Sequence, residues 1–285
     1  MIQISATKWH CSTERLEQLI AQEQSVQLEP MASGLEAEVT KLLLAQEAYV
    51  WKVWNGDSKP DINRQYRLLQ ALIGSGVQVS EPIGWGIDPG GNAVLVTSHD
   101  GLPPKKLDDE MLAELAVQLA ELHRMRLDGI APELLPTFDF VPYFFPNIAM
   151  HSDLHERLLQ IIDRVQYRYE HLIHGDYNSG NVVFSDGRCT IIDWTNGQMG
   201  DPRYDFAWAY ALLRIYASDK HAAVFRSAYV AIMPLSLVEE QAFEAIAVIR
   251  WLLLNRLVGL LRQTTTKSKA QQIMAGNPNL AGLSL

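Results

Sequence analysis

The chain has 285 residues, 48% of them apolar and 20% charged, and its 24 Lys and Arg against 33 Asp and Glu give a formal charge of −9. That composition excludes a disordered chain, permits one large domain or two lobes with a sizeable core, and argues against a broad nucleic-acid surface. Cys11 and Cys189 make neither a disulfide framework nor a metal pattern, which fits a reducing compartment. The start lacks the basic-then-apolar layout of a signal peptide. The most apolar window, 245–261, is broken by Arg250, Asn255 and Arg256 and reads as a buried helix, not a membrane span. A cytoplasmic protein without nucleic-acid or membrane partners is expected.

Residues 13–24 predict a short helix with Leu16, Leu19 and Ile20 on one face. From Val26 the pattern turns β-like, and 25–54 predicts three strands with turns near Ser33-Gly34 and Gln46-Glu47. The last of them, Tyr49 to Trp54, carries a single lysine, Lys52, among β-branched and aromatic residues. Such a lysine reads as a solvated edge charge or, given the small-residue turn Ala32-Ser33-Gly34 upstream and a helix over 62–73 downstream, as a phosphate-gripping cation. Further strand pieces are expected at 77–79, 83–87 and 93–97, with a turn at Asp88-Pro89-Gly90-Gly91-Asn92. Gly84, Gly86, Gly90 and Gly91 lack dinucleotide-loop spacing and read as hairpin glycines.

The polar, turn-rich Ser98 to Lys106 marks the lobe boundary, dividing the chain into 1–97 and 98–285. Beyond it the pattern is mainly helical. A helix is expected over 110–125, with His123 as a core or capping histidine. The segment 131–147, rich in Phe and Pro, is either a packed surface loop or part of a substrate wall whose rings hold a cation. His151 to His155 reads as a helix start. Helices are expected over 202–215, 221–232 and 238–263, followed by a loosely held polar tail from Thr264.

The chemistry concentrates in 171–209. Leu172-Ile173 leads into His174-Gly175-Asp176, a loop to Asn181, a strand, the turn Ser185 to Arg188, and a return strand ending at Asp193. A hairpin there draws the loop holding Asp176 and Asn181 toward Asp193. An amide oxygen and a carboxylate suit magnesium, which keeps water and substrate phosphates in its remaining positions. Asp176 is left to accept a hydroxyl proton and orient the attacking oxygen. Asp-x-x-x-x-Asn, an apolar strand, a turn and apolar-apolar-Asp form the pattern of kinase catalytic and metal-binding loops.

With HGDYNSGN, IIDW and GDPRYDFA in place, the stretch resembles the aminoglycoside phosphotransferase/choline kinase superfamily, small-molecule kinases with a protein-kinase-like fold. The resemblance implies an α+β, two-lobed fold with an antiparallel N-lobe sheet plus helix and a mainly helical C-lobe. It implies ATP and magnesium as cofactors and a small-molecule hydroxyl, aminoglycoside-like or an amino alcohol, as acceptor. By the same resemblance Asp176 is the catalytic base, Asn181 and Asp193 hold magnesium, and Lys52 holds the α/β-phosphates. The turn Ser33-Gly34 would cover the phosphates. The connection 93–99, with Thr97 and His99 at its end, would contact adenine through its backbone. Asp205 would brace the catalytic loop. Gln65 stands where the family usually has a glutamate paired with the lysine, and no Ala-Pro-Glu signature of protein kinases follows Asp193. The acidic balance leans toward a cationic acceptor, against which the helices after His221 carry more Arg and Lys than Asp and Glu.

Overall fold

Period-two burial along the central strands sets up the N-terminal sheet. In the strand Glu47–Trp54, Tyr49 and Trp51 are buried while Lys52, on the opposite face, is partly exposed. The computed structural model describes residues 2–31, 37–54, 60–185, 187–259 and 264–285. In chain order it forms β1 (Lys8–Ser12), α1 (Glu14–Ala21), β2 (Gln27–Pro30), β3 (Ala37–Leu44), β4 (Glu47–Trp54), α2 (Ile62–Gly74), β5 (Pro82–Ile87) and β6 (Ala93–Ser98). There follow α3 (Asp109–Arg124), α4 (Phe140–Phe144), α5 (Ser152–Val165), β7 (His171–Ile173), β8 (Val182–Ser185), β9 (Arg188–Ile191) and β10 (Gln198–Gly200). Helices α6 (Pro202–Leu212), α7 (Asp219–Ile232), α8 (Leu237–Val258) and α9 (Thr264–Gly276) complete the order.

The chain divides into two units, 1–102 with 183–195, and 103–182 with 196–285. The first holds a six-stranded antiparallel sheet in the order β1-β5-β6-β4-β3-β2. Leu16 and Leu19 of α1 are fully buried in a cluster with Leu42, Tyr49, Trp51 and Val96. Burial of each such leucine contributes about 2 kcal/mol. Helix α2 buries Tyr66, Leu68, Leu69 and Leu72, and Asp61 caps its start by accepting from the Arg64 N–H at 2.9 Å. The hairpin β8–β9 joins this unit because Ile191 N–H donates to Gln78 O at 2.9 Å and Phe184 N–H to Leu102 O at 3.3 Å. The boundary in contacts therefore falls at 102, and the hairpin crosses back, which no composition shift announces.

In the second unit α8 is buried on all sides from Ala242 to Leu253, as its largely apolar run requires, with Glu244 and Arg250 the charges within it. Among the described residues no helix is long and apolar enough to cross a membrane. The segment 131–147 is packed: Phe140 stacks on Tyr167 with centroids 4.0 Å apart, and Phe144 and Phe145 are buried.

The structure corrects the sequence reading in three places. Strand β1, whose ladder partner is β5, carries too little apolar alternation to be seen. The tail from Thr264 is a helix. It buries Thr266, Ala270, Ile273 and Met274, a helical spacing thinly spread in a polar sequence. The helix starting at Pro202 gives way at Leu213–Ala217 to a π turn, which side-chain periodicity does not encode. The turn Ser33-Gly34 lies outside the described residues.

Gly101 has φ +122°, and a Cβ there would sit 2.5 Å from Phe184 O. Gly101→Ala should lower the unfolding free energy by about 2 kcal/mol or more, read as a fall in the urea midpoint at unchanged slope.

Candidate active site

The loop 174–181 is built on one buried carboxylate. Asp205, fully buried in the first turns of α6, accepts the N–H groups of His174 at 2.6 Å and Gly175 at 2.8 Å. It also faces His123 Nε2 at 3.4 Å, whose Nδ1 lies 2.8 Å from the Tyr229 hydroxyl. Burial opposes the Asp205 charge, but hydrogen bonds from His123 and from the His174 N–H outweigh it and hold the carboxyl below its ordinary range. Burial in turn pushes His123 below its ordinary value, against the pull of Asp205. The pair is therefore a carboxylate facing a neutral imidazole. It donates from Nε2 and accepts the tyrosine proton at Nδ1. The bracing role expected of Asp205 is what the hydrogen bonds show.

Gly175, at φ +79°, admits no side chain, because a Cβ would meet Asn196 O at 2.9 Å. Asp176 follows. Its Oδ1 accepts the Trp208 indole N–H at 2.7 Å, and its Oδ2 accepts the Asn181 amide N–H at 3.2 Å. The same amide nitrogen donates to Asp176 O at 2.9 Å, as does Asn178 Nδ2 at 2.8 Å. Asn181 thus spends its nitrogen on the loop and keeps Oδ1 as its acceptor. The Tyr177 hydroxyl, with the ring fully buried, donates to Leu115 O at 2.8 Å and fixes the loop to α3.

Arg250 of α8 adds a cation below the loop. Its Nη1 donates to Gly175 O at 2.9 Å and to the Tyr204 hydroxyl at 2.7 Å, and Nη2 lies 3.9 Å from Asp176 Oδ1. The guanidinium stands over the rings of Phe144, Tyr204 and Trp208 at 5.0, 5.9 and 4.2 Å. Burial pushes the Tyr204 phenol well up against the pull of Arg250, so it stays protonated. Sequence reasoning passed over Trp208 and Arg250. The signals were present: Trp208 is one helical turn from Asp205, and Arg250 is a charge amid a buried, largely apolar run.

In the first unit, Lys52 Nζ bonds Asp193 Oδ1 at 2.7 Å and stands 4.9 Å from the Trp54 ring. Thr195 Oγ1 donates to the same oxygen at 2.8 Å, and Asp193 has φ +62°. Gln65 is buried but makes no bond to Lys52, and its Oε1 has no partner among the described residues. Thr97 and His99 lie at and just beyond the end of β6. The Ser98 and His99 N–H groups are given to Glu81 O at 2.8 Å and Ala48 O at 3.1 Å. The His99 N–H is therefore already spent within the sheet. Burial, then Lys41, pushes the His99 imidazole down. The expected site residues thus form two groups, Lys52 with Asp193 and Asp176 with Asn181. Among the described residues no three His, Cys, Asp or Glu side chains form a metal cluster.

A family model described as the phosphotransferase enzyme family matches residues 27–235. No curated protein matches the chain. Among solved structures, a thermostable mutant of aminoglycoside phosphotransferase APH(4)-Ia, in ternary complex with AMP-PNP and hygromycin B, aligns with a TM-score of 0.68 at 17% identity, covering 94% of this chain and 99% of that one. Amicoumacin kinase hAmiN, in complex with AMP-PNP, calcium and Ami, aligns with a TM-score of 0.70 at 14% identity, covering 93% of this chain and 95% of that one. Spectinomycin phosphotransferase APH(9)-Ia, with ADP and spectinomycin, aligns at 0.59 and 14% identity over 87% of both chains. These likenesses show the fold, the α+β kinase-like one expected from the loop motifs.

The depressed Asp205 carboxyl stabilises the fold fully above the ordinary carboxylate value, and that contribution is lost as pH falls through the folded value. Asp205→Asn should cost about 3 kcal/mol near neutrality. Its urea midpoint should also fall less than that of the unmodified chain between neutral pH and about pH 3.

Proposed function

The chain belongs to the phosphotransferase enzyme family, and on that footing we propose that it moves the γ-phosphoryl group of ATP to a hydroxyl of a small molecule. The observation that carries the proposal is the fixing of both Asp176 carboxylate oxygens, one by Trp208 and one by Asn181. A carboxylate held in this way is oriented before a substrate arrives and needs no reorganisation to receive a proton. The acceptor oxygen attacks the γ-phosphorus, the bond from that phosphorus to the β–γ bridging oxygen breaks, ADP leaves, and the hydroxyl proton passes to Asp176.

Lys52 grips the phosphates; Ser33-Gly34, expected to cover them, lies outside the described residues. Thr97 and His99 take the adenine end. The donor set suits magnesium: Asn181 keeps an amide oxygen, and Asp193 brings a carboxylate already partnered by a lysine. Asn181 and Asp193 would hold the magnesium, which when bound would neutralise charge on the transferring phosphoryl oxygens. Lys52 and Asp193 hold each other, so Lys52 is positioned although Gln65 does not reach it. The crystallisation of hygromycin and amicoumacin enzymes of this fold with AMP-PNP supports ATP as the donor. With ATP as donor, a cytoplasmic location is part of the proposal, and the two free cysteines accord with it.

Asp176→Asn should abolish acceptor-dependent ADP release, by about a thousandfold or more. The thermal shift on adding magnesium and ATP should be unchanged. Normal turnover in that variant, or a thermal shift by the unmodified protein with no ADP release across a wide panel of alcohols, contradicts the proposal.

A further inference from the structure

A cleft of about 470 Å³ opens beside Asp176, wholly within the second unit. The loop Tyr177 to Ser179 forms one side. Trp208, Leu212 and Tyr216 form the other, with Leu107 and Phe225 among the residues that close it. Four of its lining residues, Leu213, Tyr216, Ala217 and the adjoining Leu212, come from the π turn and its junction with α6. A π turn widens a helix and re-aims its side chains, and such turns recur at functional sites. This one is held from behind by α9, whose Lys269 Nζ donates to Ala217 O at 2.7 Å.

The chemistry of the lining is lopsided. Among the described residues that line the cleft, Asp176 is the one Asp, Glu, Lys, Arg or His; Asn178 and Ser179 are polar, and the rest are aliphatic or aromatic. Both Asp176 oxygens already accept hydrogen bonds, and the Arg250 guanidinium lies 3.9 Å from one of them. Of the rings that line the cleft, that of Trp208, which stands beside Asp176, is already covered by that same guanidinium at 4.2 Å. An ammonium group brought into this cleft would lose its water and meet a carboxylate already partnered by the chain's own cation. An uncharged apolar body would instead displace water from leucine and aromatic surface.

We infer that the acceptor is an alcohol with a largely apolar, uncharged body, bound against the π turn with its hydroxyl at Asp176, and not a polycation. The inference rests on the reading of Asp176 as the base. It runs against the lean toward a cation drawn from the acidic composition, because net charge describes the whole surface and the cleft describes the site.

Binding and turnover separate the two readings. Chloramphenicol and octyl β-glucoside serve as uncharged alcohols, choline as a monocation and kanamycin as a polycation. Each is titrated calorimetrically into the full-length protein and into Leu107→Glu, and each is assayed for ADP release with the unmodified protein and with Asp176→Asn. The uncharged alcohols should bind at least about tenfold more tightly than kanamycin, and Leu107→Glu, which adds a carboxylate to the lining, should narrow that ratio by about tenfold. Tighter binding of kanamycin or choline than of both uncharged alcohols overturns the inference, as does no binding of the uncharged alcohols or an unchanged ratio in Leu107→Glu. If kanamycin or choline is phosphorylated in an Asp176-dependent way, the phosphotransferase reading survives that loss. Uncharged alcohols that bind as expected, with no Asp176-dependent ADP release from any compound, leave the cleft assignment standing and remove the phosphotransferase reading.

Discussion

The Asp205 carboxylate is the constraint on which the catalytic loop depends. A fully buried charge survives only where several donors face it, and here two consecutive backbone N–H groups and a neutral imidazole do so. Consecutive N–H groups can converge on one carboxylate only if the chain bends sharply, and Gly175 at positive φ supplies the bend. The bend throws Asp176 outward. Trp208, one turn further along the same helix as Asp205, then meets Asp176 from the side. One helical turn of α6 therefore sets both the backbone of the loop and the rotamer of its carboxylate.

The buried helix α8 serves the same loop from below. Arg250 ends amid three aromatic rings, the Gly175 carbonyl and a tyrosine hydroxyl, so its charge is dispersed over polarizable surface and fixed dipoles. The aromatic segment around Phe144 thereby holds a cation, as one reading of its composition suggested, but the cation belongs to the chain. The segment is internal packing and does not line the cleft beside Asp176.

How much could be read in advance follows the range of the interaction. Lys52 on its strand, the α2 segment and the loop holding Asp176 were visible because strand alternation, helical spacing and local motif all act within a few residues. The register of β1 against β5 and the return of 183–195 to the first unit were not visible, since each joins segments some 75 to 115 residues apart and composition does not mark them. Arg250 and Asp176 are likewise distant in sequence, and the ion in α8 looked like an interruption of an apolar run before its partners were known. The π turn is a backbone event without a side-chain signature. For Gln65 the substitution was legible. Its consequence, a buried oxygen without a partner among the described residues and a lysine held by Asp193 instead, was a matter of geometry.

Asp193 is confined from two directions at once. Its backbone sits at φ +62°, a left-handed conformation that glycine, asparagine and aspartate adopt at modest cost and that most side chains resist. Its side chain must carry a negative charge to hold Lys52. Of the residues the backbone tolerates, only aspartate satisfies the second demand. Glutamate, the closest chemical alternative, would present the same group from a longer arm on a backbone that excludes it. The identity of this residue is thus decided by the overlap of a conformational filter with an electrostatic one, and neither alone would single it out.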